Sequence, residues 1–228
     1  PSVDYVVCGE GEYVWPRLLT AIEKGESNPG LAGVAFRSGQ AVRQNSLPPV
    51  LPMDELPYPY QDINQSPGQI LYYESSRGCP FNCSYCISSL QSGVRFMSLD
   101  RVRADLEHLN NLKPREIKFV DRTFNCEQKR AQAIMEFIAG LPGQTRFHME
   151  ISPQLLNTSL LEFLEKLPKN RFAFEIGVQS THNKTLKAIN RQGDWEKISA
   201  NIRRLRQADN IHLHLDLIAG LPEEDYST

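Results

Sequence analysis

The stretch Arg171-Phe-Ala-Phe-Glu-Ile-Gly-Val-Gln179 alternates in chemistry residue by residue. Successive side chains of an extended strand point to opposite faces, so Phe172, Phe174, Ile176 and Val178 share one side while Glu175, Gly177 and Gln179 share the other. The same division recurs in two further runs. From Ile211 to Ile218, Leu213, Leu215 and Leu217 oppose His212, His214 and Asp216; from Thr145 to Ile151, Phe147, Met149 and Ile151 oppose His148 and Glu150. Ile70 to Ser76 and Glu116 to Asp121 complete the set of strand candidates, and the alternation of the latter is ambiguous, so its facing stays open.

Between these runs lie helical patterns with recognisable ends. Ser98 caps a segment ending near Leu112, and Asn125 with Gln128 has capping-box spacing ahead of Ile134, Met135 and Ile138. Leu160, Leu164 and Leu167 form a third apolar stripe, and Trp195, Ile198, Ile202 and Leu205 form a fourth behind Asp194. Alternating strands and helices predict repeated βα units around a parallel sheet or barrel. The face under the helices must be apolar, so the acids, amides and imidazoles are predicted to face inward and line a polar ligand cavity. In such barrels the reactive groups gather at the C-terminal ends of the strands, where the loops converge.

Residues 1–45 read differently. A strand at Val3 to Cys8, a glycine turn and a helix carrying Val14, Leu18 and Ile22 make one βα unit, followed by a hairpin of Leu31 to Arg37 and Gln40 to Gln44. One such unit cannot cover both faces of a parallel strand, so this segment is expected to be the end of a domain whose earlier units are missing. Residues 46–69 hold six of the fifteen prolines and read as an extended linker. Residues 70–228 carry the barrel.

Composition narrows the function classes. Twenty-five Lys and Arg against 27 Asp and Glu give a formal charge of −2 over 228 residues, which supplies no field for a polyanion and disfavours nucleic acid as a partner. No run approaches the about 18 apolar residues of a membrane span, and the first residues lack both a basic start and a cleavage site. The expected location is cytoplasmic. Five cysteines, odd in number and clustered, suit reduced thiols and a metal better than a disulfide framework.

Three of them, Cys79, Cys83 and Cys86, lie in the loop Arg77-Gly-Cys-Pro-Phe-Asn-Cys-Ser-Tyr-Cys86. Three thiolates select zinc, copper(I) or an iron–sulfur cluster. Tetrahedral zinc wants a fourth ligand, and the nearest histidine, His108, falls within the next helix. A 4Fe-4S cluster held by three cysteines instead leaves one iron open to an external ligand. A zinc knuckle remains the alternative, as does a second metal at His212 and His214. Cys126, near a predicted helix N-terminus, is expected to have a lowered pKa and a structural role.

This loop, with the aromatic Tyr85 before its last cysteine, resembles the CxxxCxxC hallmark of the radical SAM superfamily. Phe174 to Ser180 followed by Leu186 and Arg191, and Asp216 to Pro222, resemble the fourth- and fifth-strand signatures of the coproporphyrinogen dehydrogenase and methylthiotransferase branch. Asp4 to Glu12, Gly33 to Arg37 and Asp54 to Pro57 resemble the junction found in members carrying a cobalamin-binding domain, among them the anaerobic magnesium-protoporphyrin IX monomethyl ester cyclase. The fold so implied is α/β: a partial TIM-type (βα) barrel of the radical SAM type, with five of six strands, preceded by the C-terminal remnant of a Rossmann-like cobalamin-binding domain.

The resemblance implies a 4Fe-4S cluster on Cys79, Cys83 and Cys86, whose open iron binds S-adenosylmethionine and cleaves it to a 5′-deoxyadenosyl radical. Glu150, Gln179 and Asp216 would contact the ribose and methionyl portions, Arg191 the carboxylate, and Tyr85 would lie beside the adenine. It further implies a small-molecule substrate, such as a tetrapyrrole, a reducing partner such as flavodoxin or ferredoxin, and cobalamin in the full-length protein. The alternatives are an RNA-modifying methylthiotransferase-like enzyme and a non-catalytic zinc-binding module. A chain cut at both ends is expected not to turn over alone.

Overall fold

The computed structural model describes residues 3–26, 30–65, 67–90, 93–191 and 193–225. The chain folds as two compact units, residues 1–59 and 60–228.

In the first unit, β1 (Tyr5–Val7) is followed by α1 (Gly11–Glu23), β2 (Val34–Ser38) and β3 (Ala41–Gln44). Its small core is Val14 and Leu18 of the helix against Val34 and Phe36 of the sheet, with Tyr5, Val7 and Leu31 around them. The sheet order is β1-β2-β3, and both pairings are antiparallel. The expected hairpin is present. The first strand, however, returns antiparallel onto it, where a doubly wound layer would pair its strands in parallel.

The proline-rich stretch also departs from a free linker. Gly33, at φ +81°, donates its N–H to Ser46 O at 2.6 Å, and a Cβ at that position would meet Pro48 Cδ at 2.8 Å. Residues 46–48 thus fold back onto the first unit, and the boundary falls after Pro59 rather than across 46–69.

The second unit runs β4 (Ile70–Tyr73), β5 (Ser76–Gly78), β6 (Val94–Phe96), α2 (Leu99–Asn111), β7 (Glu116–Phe119), α3 (Gln128–Gly140), β8 (Arg146–Glu150), α4 (Thr158–Leu164), β9 (Phe172–Gln179), α5 (Asn183–Ala188), α6 (Trp195–Ala208) and β10 (His212–Leu217). Five strands form one sheet in the order β10-β9-β8-β7-β4, each pairing parallel. Each new strand lies beside the one before it in the chain, the winding of a partial (βα) barrel. Phe147, Met149, Phe172, Phe174 and Ile176 are fully buried, as are Leu106 and Leu109 of α2 and Ile138 of α3. Glu150, Glu175, Gly177 and Gln179 alternate with them and stay half-buried on the other face.

Helix caps explain where the helices begin. Ser98, Asn157 and Asp194 accept the N–H of Arg101, Leu160 and Lys197 at 3.2, 2.8 and 2.8 Å. At α3 the cap is Glu127, which accepts from Arg130 N at 2.6 Å, rather than Asn125. Asn125 is buried and takes a tertiary partner instead: its Nδ2 donates to Ser152 O and its Oδ1 accepts from Ser152 N, both at 2.9 Å.

Arg171, just ahead of β9, is buried, its guanidinium 4.9 Å from the centre of the Phe147 ring and surrounded by oxygens. It donates to Gly143 O and Thr145 O at 3.1 and 2.9 Å, and to Leu141 O and Ile138 O at 3.1 and 3.4 Å, so the cation closes the C-terminal end of α3. A positive charge there meets the negative end of the helix dipole as well as the carbonyls that follow it. Arg171→Leu should lower stability by about 3 kcal/mol, the upper end of the cost of leaving a buried acceptor such as Thr145 O without its charged donor. Urea unfolding checks this, with the midpoint falling and the slope unchanged.

Candidate functional site

The cysteine loop hangs between β5 and β6, a two-stranded antiparallel ribbon at the C-terminal end of β4. Local hydrogen bonds shape it. Cys86 N donates to Cys83 O at 3.1 Å, and Ser89 caps the turn through its N–H and hydroxyl to Cys86 O at 3.1 and 2.6 Å. Ser84 N donates to Ile189 O at 3.0 Å and ties the loop to the end of α5. Cys83 is buried, and Cys79 and Cys86 are half-buried.

The three cysteines share one cavity of about 210 Å³ with Tyr85, Glu150, Gln179, Arg191 and Asp216. Every site residue expected from the sequence is therefore brought to one place. Glu175, Arg122 and Thr123 join them on the walls. The sequence placed Glu175 on the inner face without giving it a role; Arg122 and Thr123 follow β7, the strand whose alternation could not be read.

Gln179 reaches the cavity through a distortion. β9 carries a bulge opposite Asp216 and Leu217, whose partners are Gly177 and Gln179, so Val178 is the extra residue. Gln179 sits at φ +71°, a left-handed conformation that costs a non-glycine residue of order 1 kcal/mol. The bend folds its side chain back over Gly177, where any Cβ would overlap Gln179 Nε2. Arg191 donates through one terminal nitrogen to Gly177 O and lies 3.9 Å from Cys83 Sγ through the other. Its Nε is buried without a partner.

Acids crowd the same cavity. Glu150 and Glu175 are register partners on β8 and β9, and His214 is the partner of Glu175 on β10. Burial pushes the Glu150 carboxyl up to about 7; Arg122 opposes this, and Glu175, Asp121 and Asp216 add to it. His148 Nε2 holds Glu175 Oε2 at 3.1 Å, while burial lowers the imidazole's own pKa. His214 Nε2 holds Asp216 Oδ1 at 3.1 Å. Burial also raises the Tyr85 hydroxyl, against the pull of Arg191.

One expectation needs correction, and one alternative gains no support. The Cys126 thiol is pushed up by burial, with Asp121 adding to the effect, rather than down; Glu127 already fills the helix N-terminus beside it. Neither Cys126 nor Cys8 lines the cavity. His212 and His214 also gain no third ligand: among the described residues no three His, Cys, Asp or Glu side chains converge closely enough to share one metal ion. A single tetrahedral zinc requires such convergence, whereas a 4Fe-4S cluster takes each thiolate on a different iron. Three thiols lining one cavity, an unpartnered buried guanidinium nitrogen and the Gly177 cradle fit a cluster with an amino-acid ligand beside it.

Comparisons with known proteins identify the family. The sequence model of the Radical SAM superfamily matches residues 73–228. An uncharacterized methyltransferase of Pyrococcus horikoshii is 36% identical over 143 residues, 58% of this chain and 31% of its own length. The ribosomal protein uS12 methylthiotransferase of Geobacter sulfurreducens is 27% identical over 240 residues, 100% of this chain and 50% of its own. A cobalamin-dependent radical SAM methyltransferase of Streptomyces tokunonensis is 27% identical over 259 residues, 98% of this chain and 36% of its own. The chain thus spans between 31% and 50% of the length of these relatives. A radical S-adenosylmethionine methyltransferase structure from Kitasatospora setae superposes with a TM-score of 0.73 at 17% identity, over 97% of this chain and 47% of that one, and shows the same fold. With the family matched over residues 73–228, the whole cavity included, this chain belongs to the radical SAM superfamily.

Proposed function

We propose that residues 60–228 are the S-adenosylmethionine-cleaving part of a cobalamin-dependent methyltransferase that acts on a small molecule. The observation that carries the reading is the convergence of Cys79, Cys83, Cys86, Tyr85, Glu150, Gln179, Arg191 and Asp216 on one cavity at the C-terminal ends of the strands. Methyl transfer is favoured because the relatives similar to this chain include named methyltransferases, one of them cobalamin-dependent. Ring closure on a tetrapyrrole, suggested by the first 59 residues, finds no counterpart among those relatives and is not carried further. Methylthio transfer is the second reading, supported by the relative from Geobacter sulfurreducens.

In this proposal Cys79, Cys83 and Cys86 hold the cluster, which when bound supplies the electron that opens a carbon–sulfur bond of S-adenosylmethionine. Arg191 offers its unpartnered Nε to the methionine carboxylate, a charge-assisted bond suited to the guanidinium fork. Gln179, aimed inward by the bulge, and Asp216 and Glu150 receive the ribose hydroxyls and methionyl amine. Tyr85, 41% exposed at the rim, lies beside the adenine. A flavodoxin or ferredoxin delivers the electron, and cobalamin is bound by the longer protein.

Anaerobic reconstitution tests the ligand set. The chain should take up about four irons and four sulfides. Replacing Cys79, Cys83 or Cys86 by Ala should abolish the visible absorbance, while Cys8→Ala and Cys126→Ala leave it intact; loss in Cys126→Ala would overturn the assignment.

Calorimetric titration of the reconstituted chain tests the contacts. Arg191→Ala should weaken S-adenosylmethionine binding by roughly 10- to 100-fold, since hydrogen bonds to charged groups contribute about 1.5–3 kcal/mol. Gly177→Ala should weaken it as well, by driving Gln179 from the cavity. Unchanged affinity in both variants refutes the placement. In the longer protein with cobalamin, S-adenosylhomocysteine should accumulate with methylated product; sulfur insertion would favour the second reading.

A further inference from the structure

Thr123 lies between two anchors in the segment that follows β7. Two residues before it, the buried Asp121 carboxylate accepts from Ser75 N, Ser75 Oγ and Ser76 Oγ at 2.9, 2.7 and 2.5 Å. Two residues after it, Asn125 exchanges two hydrogen bonds with Ser152. Held from both sides, Thr123 is itself 5% exposed. Its Oγ1 stands 3.4 Å from Cys79 Sγ and 2.7 Å from Arg122 O.

A threonine hydroxyl carries one proton and can donate one bond. With Cys79 a thiol, the pattern closes as a relay: the S–H donates to Oγ1, and the O–H donates to Arg122 O. With the sulfur deprotonated and bound to iron, Cys79 has no proton left and can only accept. The O–H then has a charged acceptor within reach, stronger than a neutral carbonyl. A bond donated to a cluster sulfur stabilises added negative charge, and hydrogen bonds to the sulfurs are among the factors that set a cluster's reduction potential.

Resting on the reading of Cys79 as a cluster ligand, we propose that the Thr123 hydroxyl donates to the iron-bound Cys79 sulfur and thereby makes the cluster easier to reduce. Thr123 is a positioning residue that acts through Cys79. The step is one electron added to the cluster from an external one-electron reductant, with no bond broken; only the hydroxyl proton reorients.

The test compares reconstituted wild type, Thr123→Val and Thr123→Ser, titrated with dithionite. Thr123→Val keeps the volume and removes the donor; it should carry wild-type iron and sulfide, with a more negative midpoint potential. Thr123→Ser should return the potential towards wild type. In deuterium oxide the iron–sulfur stretching bands of wild type and Thr123→Ser should shift more than those of Thr123→Val. An unchanged potential and isotope shift in fully loaded Thr123→Val overturns the proposal, as does an equal displacement in Thr123→Ser. If Thr123→Val does not load iron, Thr123→Ala, too small to clash, is read in the same way. Full iron content in Cys79→Ala would overturn the ligand reading itself, a result distinct from any of these.

Discussion

The buried carboxylate of Asp121 fixes where the chain leaves the sheet. Its two oxygens take the Ser75 N–H and the hydroxyls of Ser75 and Ser76, so the end of β7 grips the turn that follows β4. Burial raises its pKa while those three donors pull the other way, the balance expected of a desolvated acid surrounded by donors. The grip sits between Tyr73, the last residue of β4, and Ser76, the first of β5, and three residues later comes Cys79. Beyond Asp121 the same segment supplies Arg122 and Thr123 to the cavity wall. One short network therefore couples the register of two adjacent strands to the location of the cysteine loop and of the groups that face it.

The elements legible in the sequence are those with a repeating signal. β8, β9 and β10 lie within one residue of their expected ends, because a period of two over five to eight residues leaves little freedom; of their polar sets Glu150, Glu175, Gly177, Gln179 and Asp216 line the cavity, while His148, His212 and His214 do not. β5 and β6, three residues each, are too short to show a period, and the six-residue α5 carries no stripe. β4 stops at Tyr73, short of the expected Ser76, because Asp121 claims Ser75 from across the sheet. A distant partner also displaced the expected cap of α3, since Asn125 is drawn to Ser152. The direction of β1 was invisible for another reason: strand polarity is set by the partner, and nothing within Tyr5–Val7 records that it runs against Phe36.

The site divides along the same line. Cysteine spacing is local, and the eight expected residues do meet in one cavity. The bulge at Val178 was not legible, although it aims Gln179: a bulge is seen only against its partner strand, here through Asp216 and Leu217. Thr123 escaped for want of a clear alternation in β7.

The electrostatics of the cavity show what those residues are arranged to receive. Glu150 and Glu175 stand side by side on neighbouring strands, with Asp216 close enough to push Glu150 further up, and burial brings that carboxyl to about 7. The acids also have partners within the protein: His148 for Glu175, His214 for Asp216, and Arg122, whose charge pulls the Glu150 carboxyl back down. Arg191 spends one terminal nitrogen on the carbonyl of Gly177, the register partner of Asp216, and leaves Nε unmatched. A neutral ligand would match neither the acids nor the guanidinium. A ligand carrying positive charge towards the acids and a carboxylate towards Arg191 relieves both at once, because an opposite charge within a few ångströms restores the ionised form of a buried acid. Under the proposed function, the methionyl end of S-adenosylmethionine, itself a zwitterion, supplies both charges.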